Sequence, residues 1–114
     1  MSEFELKDYG DGRFSLTGNM TFETAERILA ESEKPFERYT QIQVDLSNVT
    51  DADSAGLALL LEWITWANHT VREIRFLGMP DRVLAIAQTT EVDHLLKRGE
   101  RWSGFIEAPE EQPA

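Results

Sequence analysis

"TDADSAGLALLLEWITWAN", residues 50–68, is the stretch on which the reading of this chain turns. It opens on Asp51 and Asp53, passes through Ser54-Ala55-Gly56, and is then apolar almost throughout, with Trp63 and Trp66 near its end. Taken as a helix from Ser54 to Asn68 and turned by about 100° per residue, it gathers Leu57, Leu60, Leu61, Ile64 and Ala67 on one arc. That arc is the expected core face. Ala58, Glu62, Thr65 and His69 form a polar arc, and Leu59, Trp63 and Trp66 a third stripe. A helix lying on one sheet needs one apolar stripe. The third therefore either packs under a neighbouring helix or the C-terminal segment around Trp102, or forms a ridge for a partner, since aromatic side chains are enriched at interface hot spots.

The mouth of this helix carries its own signal. The first backbone N–H groups of a helix lack partners within it, and its dipole favours negative charge there. Asp53 or Ser54 can serve as the N-cap, worth about 1 kcal/mol. The Ser54 hydroxyl can also carry a phosphate that the same N–H groups accommodate. Alternatively it belongs to a docking surface, which Gly56 lets a partner approach by removing bulk beside it.

On the N-terminal side, "QIQVDLSNV" puts Ile42, Val44 and Leu46 on one face and Gln43 and Asp45 on the other, the pattern of a strand with one buried face. Phe4, Leu6, Phe14 and Leu16 alternate around "YGDGR" and predict a hairpin. "TFETAERILAESEKPF" reads as a helix capped at Thr21, with Phe22, Ala25, Ile28 and Leu29 as its apolar stripe and Pro35 closing it. On the C-terminal side, "EIRFLG" is a further strand, Pro80 starts a helix through Val83, Leu84 and Ala87, and "EVDHLLKRG" is a last short helix ending at Gly99.

The order β-β-α-β-α-β-α-α predicts an α/β fold with a mixed sheet, an N-terminal hairpin, parallel strands joined by right-handed crossovers, and about four helices mainly on one face. One domain is expected over residues 1–102. Residues 103–114, acidic and rich in proline, are expected to be a disordered tail.

Composition removes several classes of function. The chain has 114 residues, 41% of them hydrophobic, which suits a single globular domain. It has no cysteine, so disulfides, thiolate zinc sites and cysteine nucleophiles are excluded. Eleven basic residues stand against 21 acidic ones, for a formal charge of −10. A nucleic-acid binder needs cationic surface, and so does unaided adhesion to anionic lipid; both are set aside. The acidic N-terminus has no signal-peptide pattern, and the apolar run from Ala55 to Ile64 falls short of the roughly 20 residues of a membrane span. A cytoplasmic protein with a protein partner is expected.

The segment Val44 to Leu61, "VDLSNVTDADSAGLALLL", resembles the STAS domain of bacterial anti-sigma factor antagonists. The shared pattern is an apolar-Asp-Leu-Ser strand end, a short loop, and Asp-Ser-small-Gly-Leu opening a helix; with the element order, the resemblance covers roughly Phe4 to Arg98. In the antagonists the hydroxyl after the Asp is phosphorylated by a partner kinase, and that position is Ser54. In the MlaB type, the STAS subunit sits on the cytoplasmic ATPase of a phospholipid ABC transporter that maintains outer-membrane lipid asymmetry, with this hydroxyl near the contact.

The "GLALLL" run, the "FLGMPDRVLAIAQ" segment and the short chain look like the MlaB type. Ala55 stands where the antagonists commonly carry a second Ser. The resemblance thus implies a non-catalytic subunit contacting an ABC transporter ATPase through Ser54, Asp53, Ala55 and Gly56, with Leu59, Trp63 and Trp66 as further contacts. Membrane association would be indirect, at the inner-membrane face. Its alternative is an antagonist bound by a serine kinase or anti-sigma factor. A homodimer built on the tryptophan ridge is a third possibility.

Enzyme readings find little support. Asp45, Asp51 and Asp53 suggest a receiver-type aspartate site, but the acidic pair and late lysine of such a site are missing. His69 and His94 stand apart, without zinc-ligand spacing. No G-x-S-x-G elbow supports a Ser54 nucleophile, and no phosphate-binding G-x-x-x-x-G-K-[ST] loop occurs. No metal and no cofactor are expected.

Overall fold

Period-two alternation in four segments builds the sheet, and the three helices between and after them cover one side of it. The computed structural model describes residues 3–90. Strands β1 (Phe4–Gly10), β2 (Arg13–Met20), β3 (Gln41–Ala52) and β4 (Glu73–Leu77) lie in the order β1-β2-β3-β4. β1 and β2 are antiparallel, with Leu6 opposite Leu16. β3 runs parallel to both β2 and β4. Helices α1 (Ala25–Glu37) and α2 (Ser54–His69) make the two crossovers, and α3 (Asp81–Thr89) follows β4. The helix expected over residues 91–99 and the tail lie outside the described residues.

The hairpin turns on Asp11 and Gly12, both at positive φ (57° and 77°), the two-residue geometry whose twist matches paired strands. Gly12 is fixed a second time by packing: a Cβ there would come within 2.0 Å of the Gln41 carbonyl oxygen. The hairpin loop is thereby held against the start of β3, and the Gln43 N–H donates to the Gly12 carbonyl at 2.8 Å.

The apolar faces of β2, β3 and β4 supply Phe14, Leu16, Ile42, Val44, Leu46, Ile74 and Phe76 to a single core, all buried. α1 and α2 close it with Ile28, Phe36, Leu60 and Trp63. Phe36 meets Phe14 edge-on at 4.8 Å, and Trp63 lies 5.2 Å from Phe36 and stacks over Phe76 at 6.3 Å. The opposite sheet face is polar, with Glu5, Lys7, Tyr9, Thr17 and Gln43 around a shallow concavity of about 350 Å³. This is the two-layer arrangement that the one-sided alternation implies.

Two features of α1 differ from expectation. Pro35 does not close the helix, which continues to Glu37. The missing proline N–H frees only a carbonyl one turn back, on exposed Glu31. Continuing two residues further puts Phe36 in the core, which outweighs that loss. The helix also begins at Ala25, not Thr21. Thr21 and Thr24 form a turn before it, in which Thr24 Oγ1 accepts from the Thr21 N–H (2.9 Å) and donates to the Asn19 carbonyl (2.9 Å). Phe22 therefore precedes the helix and is 82% exposed instead of lying on its apolar stripe.

Candidate docking site at the mouth of helix α2

β3 delivers the chain to the mouth of α2 through an irregular end. Its pairing with β2 shifts register between Ser15 and Thr17 and again between Gly18 and Asn19. Such bulges bend a strand and re-aim the residues beyond it. Past them, Ala52 is buried opposite Met20, and Asp53 turns the chain into the helix.

Asp53 is the N-cap. Its Oδ1 accepts from the Ala55 N–H at 2.9 Å, and its Oδ2 accepts from the Phe22 N–H at 3.1 Å. One carboxylate thus caps α2 and ties the α1 entry loop to it. The Asp53 carbonyl accepts from the Gly56 N–H at 2.9 Å, and at 3.4 Å from that of Leu57. The mouth is therefore closed by Asp53 alone. Ser54 is exposed, and among the described residues no hydrogen bond engages its hydroxyl.

Gly56 has a different task from the one expected of it. It is buried, and a Cβ there would lie 2.6 Å from the Met20 carbonyl oxygen. Its lack of a side chain lets α2 sit close on the end of β2. Ala55, half-buried, and exposed Ala58 are the small residues that face outward beside Ser54.

Of the third stripe, Leu59 and Trp63 are buried and Trp66 is half-buried. Packing under a neighbouring helix is what the fold realises, and the neighbour is α1. The Trp63 indole N–H donates to Ser32 Oγ at 2.9 Å, and that buried hydroxyl donates to the Leu29 carbonyl at 2.7 Å. A buried indole leaves its N–H costly unless it is paired, and Ser32 meets that need. Trp66 packs 6.0 Å from Phe36, with the Arg72 guanidinium 4.9 Å over its ring. Arg72 also donates to the Glu37 and Tyr39 carbonyls, both at 2.9 Å, and so fastens the end of α1. Gly56, Leu59 and Trp63 present little or no surface, which leaves Ser54, Ala55, Ala58 and part of Trp66 on the outside.

Sequence reasoning did not foresee a groove between α1 and α2. A cavity of about 570 Å³ opens beside the mouth, between Phe22, Ala25 and Leu29 on one side and Ala55, Ala58 and Leu59 on the other. The sequence carried no signal for it, because Phe22 fits the apolar stripe of a helix and only the Thr21–Thr24 turn sets it ahead of α1. Among the described residues no group of three or more His, Asp or Glu side chains is placed to hold a metal ion. His69 sits at the end of α2, with Nδ1 3.0 Å from the Thr65 carbonyl. No described helix is long and apolar enough to cross a membrane.

The sequence pattern and the fold meet in one comparison: the family model described as "Mlab, STAS domain" matches residues 7–97. The chain belongs to the STAS domain family. Solved structures repeat the fold at low identity. The anti-sigma factor antagonist SpoIIAA in its unphosphorylated form superposes with a TM-score of 0.58 and 18% identity, over 84% of this chain and 98% of that one. A sulfate transporter family protein from Wolinella succinogenes gives 0.62 and 18%, over 90% and 84%. The NMR structure of the protein TM1081 gives 0.62 and 20%, over 85% and 80%. No curated protein sequence matches this STAS domain. STAS domains are in general non-catalytic regulatory modules that act through other proteins.

Proposed function

We propose that this STAS domain is the small regulatory subunit of a phospholipid ABC transporter that maintains outer-membrane lipid asymmetry. In this reading it docks the mouth of α2 on the transporter's cytoplasmic ATPase. It sits peripherally at the inner-membrane face, held there by that partner. The carrying observation is the division of labour at the mouth: Asp53 does the capping, and Ser54 stands outside with its hydroxyl unengaged among the described residues. A side chain in that position can contact a partner without being needed by the fold. The description of the matching family model supports the MlaB assignment. Docking alters the ATPase only to the extent that the subunit prefers one of its states.

The second reading is an anti-sigma factor antagonist switched by phosphorylation of Ser54, favoured by that residue's exposure. The mouth is poorly prepared to cradle a phosphate, because the N–H groups of Ala55, Gly56 and Leu57 already bond Asp53. A phosphate at Ser54 would stand beside the Asp53 carboxylate, where it would break a contact by repulsion and desolvation more readily than make one.

The test is to purify the tagged full chain from gently solubilised native membranes and identify its companions by mass spectrometry. An ABC ATPase with its permease is the expected result. A serine kinase or an anti-sigma factor in their place overturns the transporter reading and installs the second.

A further inference from the structure

The groove beside the mouth continues along the helix pair. A second, smaller cleft of about 150 Å³ lies between Ser32 and Phe36 of α1 and Trp63 and Trp66 of α2. Both cavities share Leu29 and Glu62 in their walls, so together they form one furrow down the α1–α2 seam. Its floor is apolar. Its charged lining is all of one sign: Glu23, Glu26 and Glu33 from α1 and the turn before it, and Glu62 from α2. No Lys or Arg lines it among the described residues. Arg27, on α1, is paired with Glu3 and lies over the Phe4 ring, and Arg72 is held by the carbonyls of Glu37 and Tyr39.

An apolar trough edged on both sides by carboxylates selects its occupant. We infer that the furrow receives a basic amphipathic helix of the partner protein, its apolar stripe toward Leu29, Ala58 and Leu59 and its Lys or Arg residues along both edges. This rests on the docking reading above and names what is docked. A helix with one apolar stripe fits a groove between two helices, and flanking cations meet the four carboxylates, adding selectivity and speed of association. Phe22, exposed at the open end and tied by its N–H to Asp53, is the anchor that such a helix covers. The same charge turns other occupants away. A second copy brings its own acidic furrow and a formal charge of −10. The chain's own residues 91–114 carry Glu91, Asp93, Glu100, Glu107, Glu110 and Glu111 against Lys97, Arg98 and Arg101, and so are acidic on balance. Anionic lipid is repelled likewise.

The test follows the NMR spectrum of the full chain while a synthetic Leu/Lys peptide is added. The peptide is about four helical turns long, with Leu at i, i+3, i+4 and i+7. Controls are the same composition in scrambled order and the same pattern with Glu replacing Lys. Saturable shifts are expected at Ala25, Leu29, Ala58 and the Trp66 indole, from the patterned basic peptide alone. Ala58→Arg should weaken binding about ten-fold or more by filling the trough at its centre. Glu26→Lys and Glu62→Lys should weaken it about three-fold each, as exposed charge pairs do.

Shifts elsewhere, or equal binding of the scrambled peptide, overturn the inference. Groove binding that appears only after residues 91–114 are removed assigns the furrow to the chain's own terminus and overturns it too. Groove shifts on dilution without peptide assign it to a second copy, with the same consequence. Because no ATPase enters the titration, its failure leaves the co-purification result standing. Recovery of a kinase there would leave the furrow's preference for a basic helix intact.

Discussion

Two serines of this chain sit at the two helices of the same seam and serve opposite ends. Ser32 is buried in α1, with its hydroxyl engaged twice, accepting from the Trp63 indole and donating to the Leu29 carbonyl. Ser54 opens α2, is exposed, and leaves the capping to its neighbour Asp53. The first hydroxyl belongs to the fold and the second to the surface. The contrast teaches that a hydroxyl next to an acidic residue at a helix mouth is not thereby the cap. When the carboxylate takes the backbone donor, the hydroxyl becomes available to a partner.

Substitutions can break or sharpen this contrast. The largest effect belongs to Trp63, whose ring touches Phe36 and Phe76 inside the core. Trp63→Ala should cost about 3–5 kcal/mol in urea-unfolding stability, the range for emptying a buried aromatic site; a loss under about 1 kcal/mol would mean that the ring is not core. Next comes Ser32→Ala, which strands the indole N–H in the interior and should cost about 1–3 kcal/mol by the same measurement. Adding Trp63→Phe to it should recover part of that loss, because the orphaned donor is then gone. An unchanged double mutant would show that the serine acts by packing instead. Asp53→Ala should cost about 1–2 kcal/mol, the loss of an N-cap together with its tie to Phe22. Asp53→Asn should recover only part of this, since its single amide oxygen can accept from the Ala55 N–H while its NH2 group cannot accept from the Phe22 N–H.

Much of the architecture was legible because its signals are local. Ile42, Val44 and Leu46 alternate, and the Gly-Asp-Gly turn allows only a tight hairpin, so sheet and hairpin follow from periods and turn chemistry. Asp53 and Ser54 could be placed at the mouth of α2 for the same reason. What stayed ambiguous depends on neighbours. Leu59, Trp63 and Trp66 lie on an arc whose fate is set by where α1 packs, and α1 is distant in sequence. Gly56 could be seen to lack bulk, but only the approach of the Met20 carbonyl shows which side needs that. Pro35 reads as a stop and is tolerated in the last turn because Phe36 has a core to enter. Phe22 read as part of a stripe until the Thr21–Thr24 turn placed it ahead of the helix.

Ser54, unlike its neighbours Asp53 and Gly56 at the mouth of α2, is available to a partner without serving the fold, and Ser54→Arg tests this most directly. Unfolding stability and capture of the ATPase proposed as its partner would be measured on the same preparation. The account predicts stability within about 0.5 kcal/mol of the parent chain, as for an exposed position, together with loss of ATPase capture. A variant that captures the ATPase as tightly as the parent would contradict it.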